Sequence, residues 1–281
     1  MIQFQIFNGK IFAEDEPVLL ANNRSYRYGD GFFESMRVAN GEVLQLSLHW
    51  TRIVRTAKFL QLTLPQGFDK ANFESYCKLL CDKNGLQNAA IRFKAYRGGA
   101  GTYQPENNLM EWGISALPLD NAAFELNKKG LIIGLFKDQA VAPAPLSNFK
   151  TSNALPYVLG TLHANKKNWD DCLMLDVHGN LVETTNANIF LVQGKTIVTP
   201  DLSTGGLQGI MRQEVMKAAT ALGFKVKATI LLEEDLLKAD ECFTTNSIKG
   251  VQWVMGYGKK RYFHRVAEAL IQEINRSNNL S

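Results

Sequence analysis

Two side chains and two loops in this chain sit where they could do chemistry. Lys150 follows the proline-bearing loop VAPAPLSNFK and precedes TSNALPYVL, which has helical spacing. A lysine that begins a helix opposes the positive end of the helix dipole, which disfavours its charged form. Only a neutral amine attacks an aldehyde, so the position suits Schiff-base chemistry; the plain alternative is a solvent-exposed lysine. Glu183 ends a strand in LVETTNANIFLV, an otherwise apolar hairpin. It is either a solvated edge charge or a buried carboxylate. A buried one requires a cation, because isolated burial costs on the order of several kcal/mol. A protonated pyridine nitrogen is one such cation.

The two loops suit a phosphate. In TGGLQGIMRQEVM a glycine-rich stretch opens directly into a helix. The unpaired N–H groups and positive dipole end of a helix N-terminus bind anions. Ile210 and Met211 offer two backbone donors there, and Gly209 lets a ligand approach closely. In FTTNSIKGV, Thr244, Thr245, Asn246 and Ser247 gather polar groups at the end of a strand. Each loop also has an ordinary reading, as a structural glycine-rich helix start and as turn chemistry.

The elements that must hold these residues follow from spacing. IQFQIFNGKIF predicts two strands around Asn8-Gly9, and FESMRVANGEVLQL a second hairpin around Asn40-Gly41. Helical spacing runs from Leu48 to Leu62, through Ile53, Val54, Ala57 and Leu60, and again from Phe73 to Cys81. NAAIRFKAYRGGAGTY predicts a strand entering a glycine-rich turn, and WGISALPL and LIIGLFKD are strand-like. The pattern pauses near Leu117-Pro118, which places a domain boundary between residues 1–119 and 120–281. NALPYVLGTLHANKKN predicts a helix with Leu155, Val158, Leu159 and Leu162 on one side and Pro156 in its first turns. DCLMLDV, LVETT, ANIFLV and TIVTP read as strands, and GIMRQEVMKAATALG as a helix stopped by Gly223. KVKATIL and ECFTTNS are further strands, EEDLLKA a short helix and VAEALIQEINRS a closing one. This alternation predicts an α+β or mixed-sheet protein in two parts.

Composition narrows the partners. Hydrophobic residues make up 46% and charged residues 21%, which suits a soluble chain with a substantial core. The net charge is +4 with no basic run, so neither nucleic acid nor an anionic membrane is expected as a partner. MIQFQIFNGKIF lacks a charged leader before a long apolar run, and no stretch reaches the roughly 20 apolar residues of a membrane span. Cys77, Cys81, Cys172 and Cys242 form no CxxC pair and no Cys/His cluster. The expectation is no metal, a cytoplasmic location, and cysteines that act as small buried apolar residues.

Six segments, in order, resemble the class IV aminotransferase family, the fold-type IV enzymes that use pyridoxal 5′-phosphate (PLP). They are NRSYRYGDGFFESMRV, LSLHWTRIVRTAKFL, FKTSNALPYVLG, LDVHGNLVETTNANIFLV, GIMRQEV and DECFTTNSIKGVQWV. The resemblance implies a two-domain α+β fold like that of D-amino acid aminotransferase. A small N-terminal α/β domain precedes a larger C-terminal PLP-binding domain, mixed and β-barrel-like, with helices. It implies PLP held as a Schiff base on Lys150, which is also the catalytic residue that shuttles the α-proton. Glu183 then pairs with the pyridine nitrogen and Leu207 packs on the ring face. Arg52, the backbone N–H groups of Ile210 and Met211 beyond Gly209, and the hydroxyl of Ser247 then bind the phosphate. His49 is read as a core or capping histidine or as a direct ligand, and Arg24 and Asp30 as structural supports. Arg97 and Phe33 are substrate-binding candidates, Arg97 for a carboxylate, with a solvated arginine beside a flexible turn as its alternative. Asn23, Met211 and Ser247 stand where the family often carries Asp, Thr and Thr. Met211 weakens the case for a branched-chain transaminase.

The family includes branched-chain aminotransferases, D-amino acid aminotransferases and 4-amino-4-deoxychorismate lyases. FTTNSIKGV, GIMR and YRGGAGTY look closer to the lyases. The expected reaction is therefore elimination of pyruvate to give p-aminobenzoate, as in folate biosynthesis. The alternative is an amino acid transaminase, of D-amino acid or branched-chain type, with a 2-oxo acid acceptor. A third reading, a ligand-binding relic without catalysis, is opposed by the joint presence of Lys150, Glu183 and Arg52. The implied partners are a small amino-bearing substrate and a second copy of the chain in a homodimer.

Overall fold

Alternating apolar residues and two Asn-Gly turns build the first of two units in the computed structural model, which describes residues 3–280. This unit runs through Ala122 and takes in Lys150–Ser152; Ala123–Phe149 and the chain from Asn153 onward form the second. In the first hairpin, β1 (Phe4–Phe7) and β2 (Lys10–Ala13), Asn8 and Gly9 take φ of 46° and 80°. Two positive φ values are what a tight two-residue hairpin turn requires. Ile2, the start of the expected strand, lies outside the described residues. The short helix α1 (Arg24–Tyr28) is started by Asn23, whose side chain accepts from the N–H groups of Ser25 and Tyr26. The second hairpin, β3 (Gly31–Ala39) and β4 (Glu42–Val43), turns on Asn40 and Gly41 in the same way. Two helices follow, α2 (Leu46–Phe59) and α3 (Lys70–Lys83), then β5 (Ala89–Arg97) and β6 (Met110–Pro118).

These strands form an antiparallel sheet in the order β2-β1-β6-β5-β3-β4. One face buries Phe32, Met36, Ile91, Phe93, Trp112 and Ile114 against Ile53, Phe73 and Leu80 of the helices. The alternate positions Phe33, Ser35, Arg92 and Lys94 lie on the other face, half-buried or exposed.

Lys150–Ser152 pairs with the start of β3. Thr151 bridges Phe32, the Phe33 N–H donates to the Lys150 carbonyl (3.0 Å), and the Ser152 N–H donates to the Gly31 carbonyl (2.9 Å). Lys150 therefore does not begin a helix, contrary to the expectation from spacing. The next helix starts at Leu155, and the residues between are extended or irregular. The dipole argument falls, because a helix end acts only within its own first turn.

The second unit contains β7 (Leu131–Val141), α4 (Leu155–Lys166), β8 (Asp171–Asp176), β9 (Leu181–Thr184), β10 (Asn188–Gln193) and β11 (Thr196–Pro200). It continues with α5 (Ile210–Ala221), β12 (Lys225–Thr229), α6 (Glu233–Lys238), β13 (Glu241–Asn246), β14 (Gly250–Tyr257), β15 (Lys260–Arg261) and α7 (Arg265–Ser277). Its mixed sheet runs β12-β11-β10-β13-β14-β7-β8-β9, with β15 beside β14. The β11/β12, β14/β7 and β7/β8 pairs are parallel and the rest antiparallel. The sheet curls into a half-barrel around Leu135, Leu173, Leu181, Ile189, Leu191 and Val254. Helices α5 and α7 pack on each other and on β13. Among the described residues no helix is long and apolar enough to cross a membrane.

Helix α4 reverses a common rule. Its apolar side, Leu155, Val158, Leu159 and Leu162, is exposed, while Gly160 and Ala164 are buried. A Cβ at Gly160 would meet Met174 Sδ and Thr185 Cγ2 at 3.0 Å and Cys172 Sγ at 3.3 Å. The small residues therefore dock the helix on β8, and the larger apolar ones point away.

Gly31 holds the junction on which Lys150 depends. A Cβ there would meet the Ala95 carbonyl at 2.4 Å and Tyr96 Cβ at 2.8 Å. Gly31→Ala should lower stability by about 1–3 kcal/mol, as overpacking does. Urea unfolding checks this, and an unchanged midpoint would count against so tight a β3–β5 contact.

Candidate functional site

In the second unit a buried carboxylate organises three separate elements. Glu183, on β9, is 5% exposed. Its Oε1 accepts from the Tyr157 hydroxyl of α4 at 2.8 Å. Its Oε2 accepts from Asn188 Nδ2 of β10 and from the Leu207 N–H, both at 3.1 Å. Asn188 Nδ2 also donates to the Leu207 carbonyl at 2.9 Å, so one amide ties the strand to the loop before α5. Burial pushes the Tyr157 phenol well above the usual range, and the neighbouring Glu183 charge adds to it. Tyr157 therefore stays protonated as a donor, and all three groups that hold Glu183 here are neutral.

The start of α5 lies against the same asparagine. Gly209 is the N-cap and has no side-chain cap, so the first-turn N–H groups depend on other acceptors. A Cβ at Gly209 would come within 2.0 Å of Asn188 Oδ1, so only glycine allows this approach. Ile210 and Met211 bury their side chains and leave the backbone to make polar contacts. Thr245 on β13 sits opposite Asn188, so the two side chains share a face of the sheet. The Thr245 Oγ1 is buried without a hydrogen-bond partner. Ser247 is half-buried in the turn that follows. Asn246 shapes that turn by accepting from the N–H groups of Ile248 (3.1 Å) and Lys249 (2.9 Å).

Glu183, Leu207, Gly209, Ile210 and Met211 are thus brought together through Asn188, with Ser247 two residues beyond the unpartnered hydroxyl. A carboxylate held by neutral donors, an uncapped helix start and a buried free hydroxyl fit a phosphorylated heterocycle with a protonated ring nitrogen.

The remaining candidates lie in the first unit. Arg52 Nε and Nη2 form a bidentate pair with Glu34, each at 2.6 Å, and His49 Nδ1 meets the same carboxylate at 2.7 Å. His49 is fully buried, as a core histidine. Burial raises the Glu34 pKa, but the Arg52 charge and the hydrogen bonds from His49 and Arg52 outweigh it and leave it at about 2. Asp30 Oδ2 accepts from Arg24 Nε (2.9 Å) and Arg97 Nε (3.0 Å), so Asp30 braces both arginines. Arg97 also donates to the Leu60 carbonyl at 2.7 Å and to Asn108 Oδ1 at 2.5 Å. It is buried and committed to these partners, and not a solvated arm. Phe33 lies under two cations, with Arg92 Cζ at 4.0 Å and Lys150 Nζ at 4.4 Å from its ring centre.

Sequence reasoning missed Tyr157, Asn188 and Glu34. Glu34 was readable in principle, because it alternates with Phe32 and Met36 on the buried face of a strand and so demands cations. Tyr157 and Asn188 carry no such signal, because their role depends on contacts between distant elements.

A family model described as Amino-transferase class IV matches residues 31–255. An aminodeoxychorismate lyase of Vibrio harveyi is 27% identical over 237 residues, which span 83% of this chain and 85% of that protein. A probable branched-chain-amino-acid aminotransferase of Rickettsia bellii (strain RML369-C) is 28% identical over 278 residues, spanning 95% and 93%. The crystal structure of an aminotransferase from Brucella abortus bound to PLP aligns over 99% of each chain with a TM-score of 0.85 and 22% identity, and so shares the two-part α+β fold.

The Glu34 pair yields a pH test. A carboxylate with a lowered folded pKa adds stability above its usual 4.5, and that contribution is lost as pH falls toward about 2. Glu34→Gln leaves the buried Arg52 without its anion and should cost about 3–5 kcal/mol at neutral pH. It should also flatten the stability profile between pH 4.5 and 2. Urea unfolding at a series of pH values reads both effects, and a variant with the parent's acid slope would contradict the assignment.

Proposed function

Because the chain belongs to the class IV aminotransferase family, we propose that it is a PLP-dependent enzyme acting at the amine-bearing carbon of a small substrate. The observation that carries this reading is the buried Glu183 carboxylate, held by Tyr157, Asn188 and the Leu207 N–H beside the bare helix start at Gly209. When bound, PLP supplies an electron-withdrawing cationic ring. Glu183 would hold the proton on its pyridine nitrogen, with Tyr157 and Asn188 fixing the carboxylate's orientation. The N–H groups of Ile210 and Met211, the hydroxyls of Thr245 and Ser247, and Arg52 would hold the phosphate. Leu207 would pack on the ring face. Lys150 is the amine that would hold the aldehyde carbon, and its Nζ moves the proton at the substrate's amine-bearing carbon.

We take the reaction to be the conversion of 4-amino-4-deoxychorismate to p-aminobenzoate and pyruvate. The ring loses the proton beside its nitrogen, the C–O bond to the enolpyruvyl group breaks, and the departing enol takes up a proton to become pyruvate. The Vibrio relative bears the name of this activity. Met211 also places a buried thioether where the family's transaminases more often carry a hydroxyl. Transamination between an amino acid and a 2-oxo acid is the second reading, favoured by the Rickettsia relative. A cytoplasmic setting suits the four buried free cysteines. The exposed row Leu155, Val158, Leu159 and Leu162 is the face we assign to a second copy in a homodimer.

Purified protein should be yellow, and borohydride should trap the cofactor on Lys150; colourless protein that takes up no PLP would end this reading. Lys150→Ala should lower turnover by about a thousandfold or more. Offered aminodeoxychorismate, and separately an amino acid with 2-oxoglutarate, the enzyme should release p-aminobenzoate and pyruvate from the first; glutamate from the second alone selects transamination. Leu159→Glu combined with Leu162→Glu should turn a dimer into a monomer in sedimentation, and a parent protein that is already monomeric rules that face out.

A further inference from the structure

A buried arginine in the second unit answers acids that it does not touch. Arg212 is the third residue of α5 and is 6% exposed. Its Nη2 donates to the Pro200 carbonyl of β11 at 3.2 Å, and it forms no ion pair among the described residues. One carbonyl satisfies a buried guanidinium poorly, because five N–H donors and a full charge have left water. In the first turn of a helix the charge also meets the positive end of the dipole. Such a cation needs anions within reach. Burial lowers the Arg212 pKa, and the charges of Asp201 and Glu183 oppose that.

The two acids differ. Asp201 caps the short turn Leu202–Thr204 by accepting from the Ser203 N–H at 2.9 Å, and the Ser203 side chain and N–H hold its pKa down ahead of Arg212. Glu183 accepts from the neutral Tyr157, Asn188 and Leu207 donors. The path from it to Arg212 is short. A Cβ at Gly209 would lie 3.3 Å from Arg212 Cβ and 2.0 Å from Asn188 Oδ1, and Asn188 Nδ2 donates to Glu183 Oε2 at 3.1 Å.

We propose that Arg212 is a positioning residue, the through-space counter-ion that keeps Glu183 ionised and able to pair with a protonated ring nitrogen. This rests on the reading of Glu183 as the partner of that nitrogen. A charge out of contact still acts strongly where water is excluded, because buried pairs are little screened. Arg52 shows what contact does instead: its fork occupies both oxygens of Glu34. Arg212 is tied to Pro200, so it supports the charge of Glu183 and leaves that carboxylate's oxygens to neutral donors and to a ligand.

The test is urea unfolding of the cofactor-free full-length chain at a series of pH values. Without its cation, a carboxylate buried among neutral donors holds a proton more tightly in the fold than in the unfolded chain. Such a group contributes stability below its unfolded pKa and loses it as pH rises. Arg212→Met should therefore lower the unfolding midpoint, and the loss should grow as pH rises through about 4 to 7. Adding Glu183→Gln should remove most of that growth, and Arg212→Lys should show little of it. Growth that survives Glu183→Gln and disappears with Asp201→Asn overturns the proposal and leaves Arg212 as a brace on β11. A loss that is equal at every pH overturns it too. Where Arg212→Met does not fold at neutral pH, recovery of folding by Glu183→Gln supports the counter-ion and failure to recover overturns it. Added PLP tests the cofactor reading separately. A parent that stays colourless while the Glu183 dependence persists keeps the counter-ion and removes the PLP chemistry. A parent that turns yellow without that dependence removes the counter-ion alone.

Discussion

A carboxylate withdrawn from water must be answered, and the two units answer theirs in different ways. Glu34 is met by a guanidinium fork and an imidazole at 2.6–2.7 Å. That arrangement is a buried ion cluster that fixes α2 against β3. Glu183 accepts from a phenol, a carboxamide and a backbone N–H, which orient the acid, and the charge of the buried Arg212 also reaches it. A low-dielectric surrounding makes such an oriented anion a strong site for a proton or a cation. The two acids thus differ in their hydrogen-bond donors, cationic for Glu34 and neutral for Glu183.

The donors to Glu183 also set the shape of their surroundings. Tyr157 comes from α4, Asn188 from β10 and Leu207 from the loop before α5, so satisfying one carboxylate fixes a helix, a strand and a loop together. Asn188 is doubly engaged, through Glu183 and the Leu207 carbonyl, and Gly209 packs against its other amide atom. The bare start of α5 is therefore held at a set position relative to Glu183. A site whose parts share hydrogen bonds keeps its geometry better than one assembled from independent loops.

Much of this was legible from local signals. The Asn-Gly pairs declared both hairpins because few other dipeptides accept two positive φ values. Apolar spacing located α2, α3, α4, α5 and α7, and the glycine-rich run marked the start of α5. Helix α1 escaped because five residues are too few for a period to show. Lys150 was assigned to a helix start because the helical spacing after it is real. What places it is pairing with β3, more than a hundred residues away in sequence, and no local pattern encodes that. For α4 the periodicity was right and its meaning was not, because the contact with β8 is decided by Gly160 and Ala164. Tyr157 and Asn188 lie in NALPYVLG and TTNANIFLV, yet their purpose depends on an acid from another element.

The cations of β5 show how one rule, the alternation of side chains along a strand, sorts similar residues into different work. Ile91, Phe93, Ala95 and Arg97 point toward the helices, and Arg92, Lys94 and Tyr96 point the other way. Arg97 therefore arrives where the end of α2 offers the Leu60 carbonyl and where Asp30 waits, and its charge is spent on structure. Arg92 and Lys94 arrive on a face floored by glycine and serine, beside Phe33 and Lys150, where no acid among the described residues pairs with them. Arg97 looked the better carboxylate ligand because it adjoins a glycine-rich turn, but nearness to a flexible turn says nothing about which face a side chain occupies. A slip of one residue in the β3–β5 register would exchange the two sets, burying Arg92 and Lys94 among aromatic rings at a cost no domain of this size could bear. The apolar residues that fix the register of β5 therefore also fix which of its cations face away from the helices.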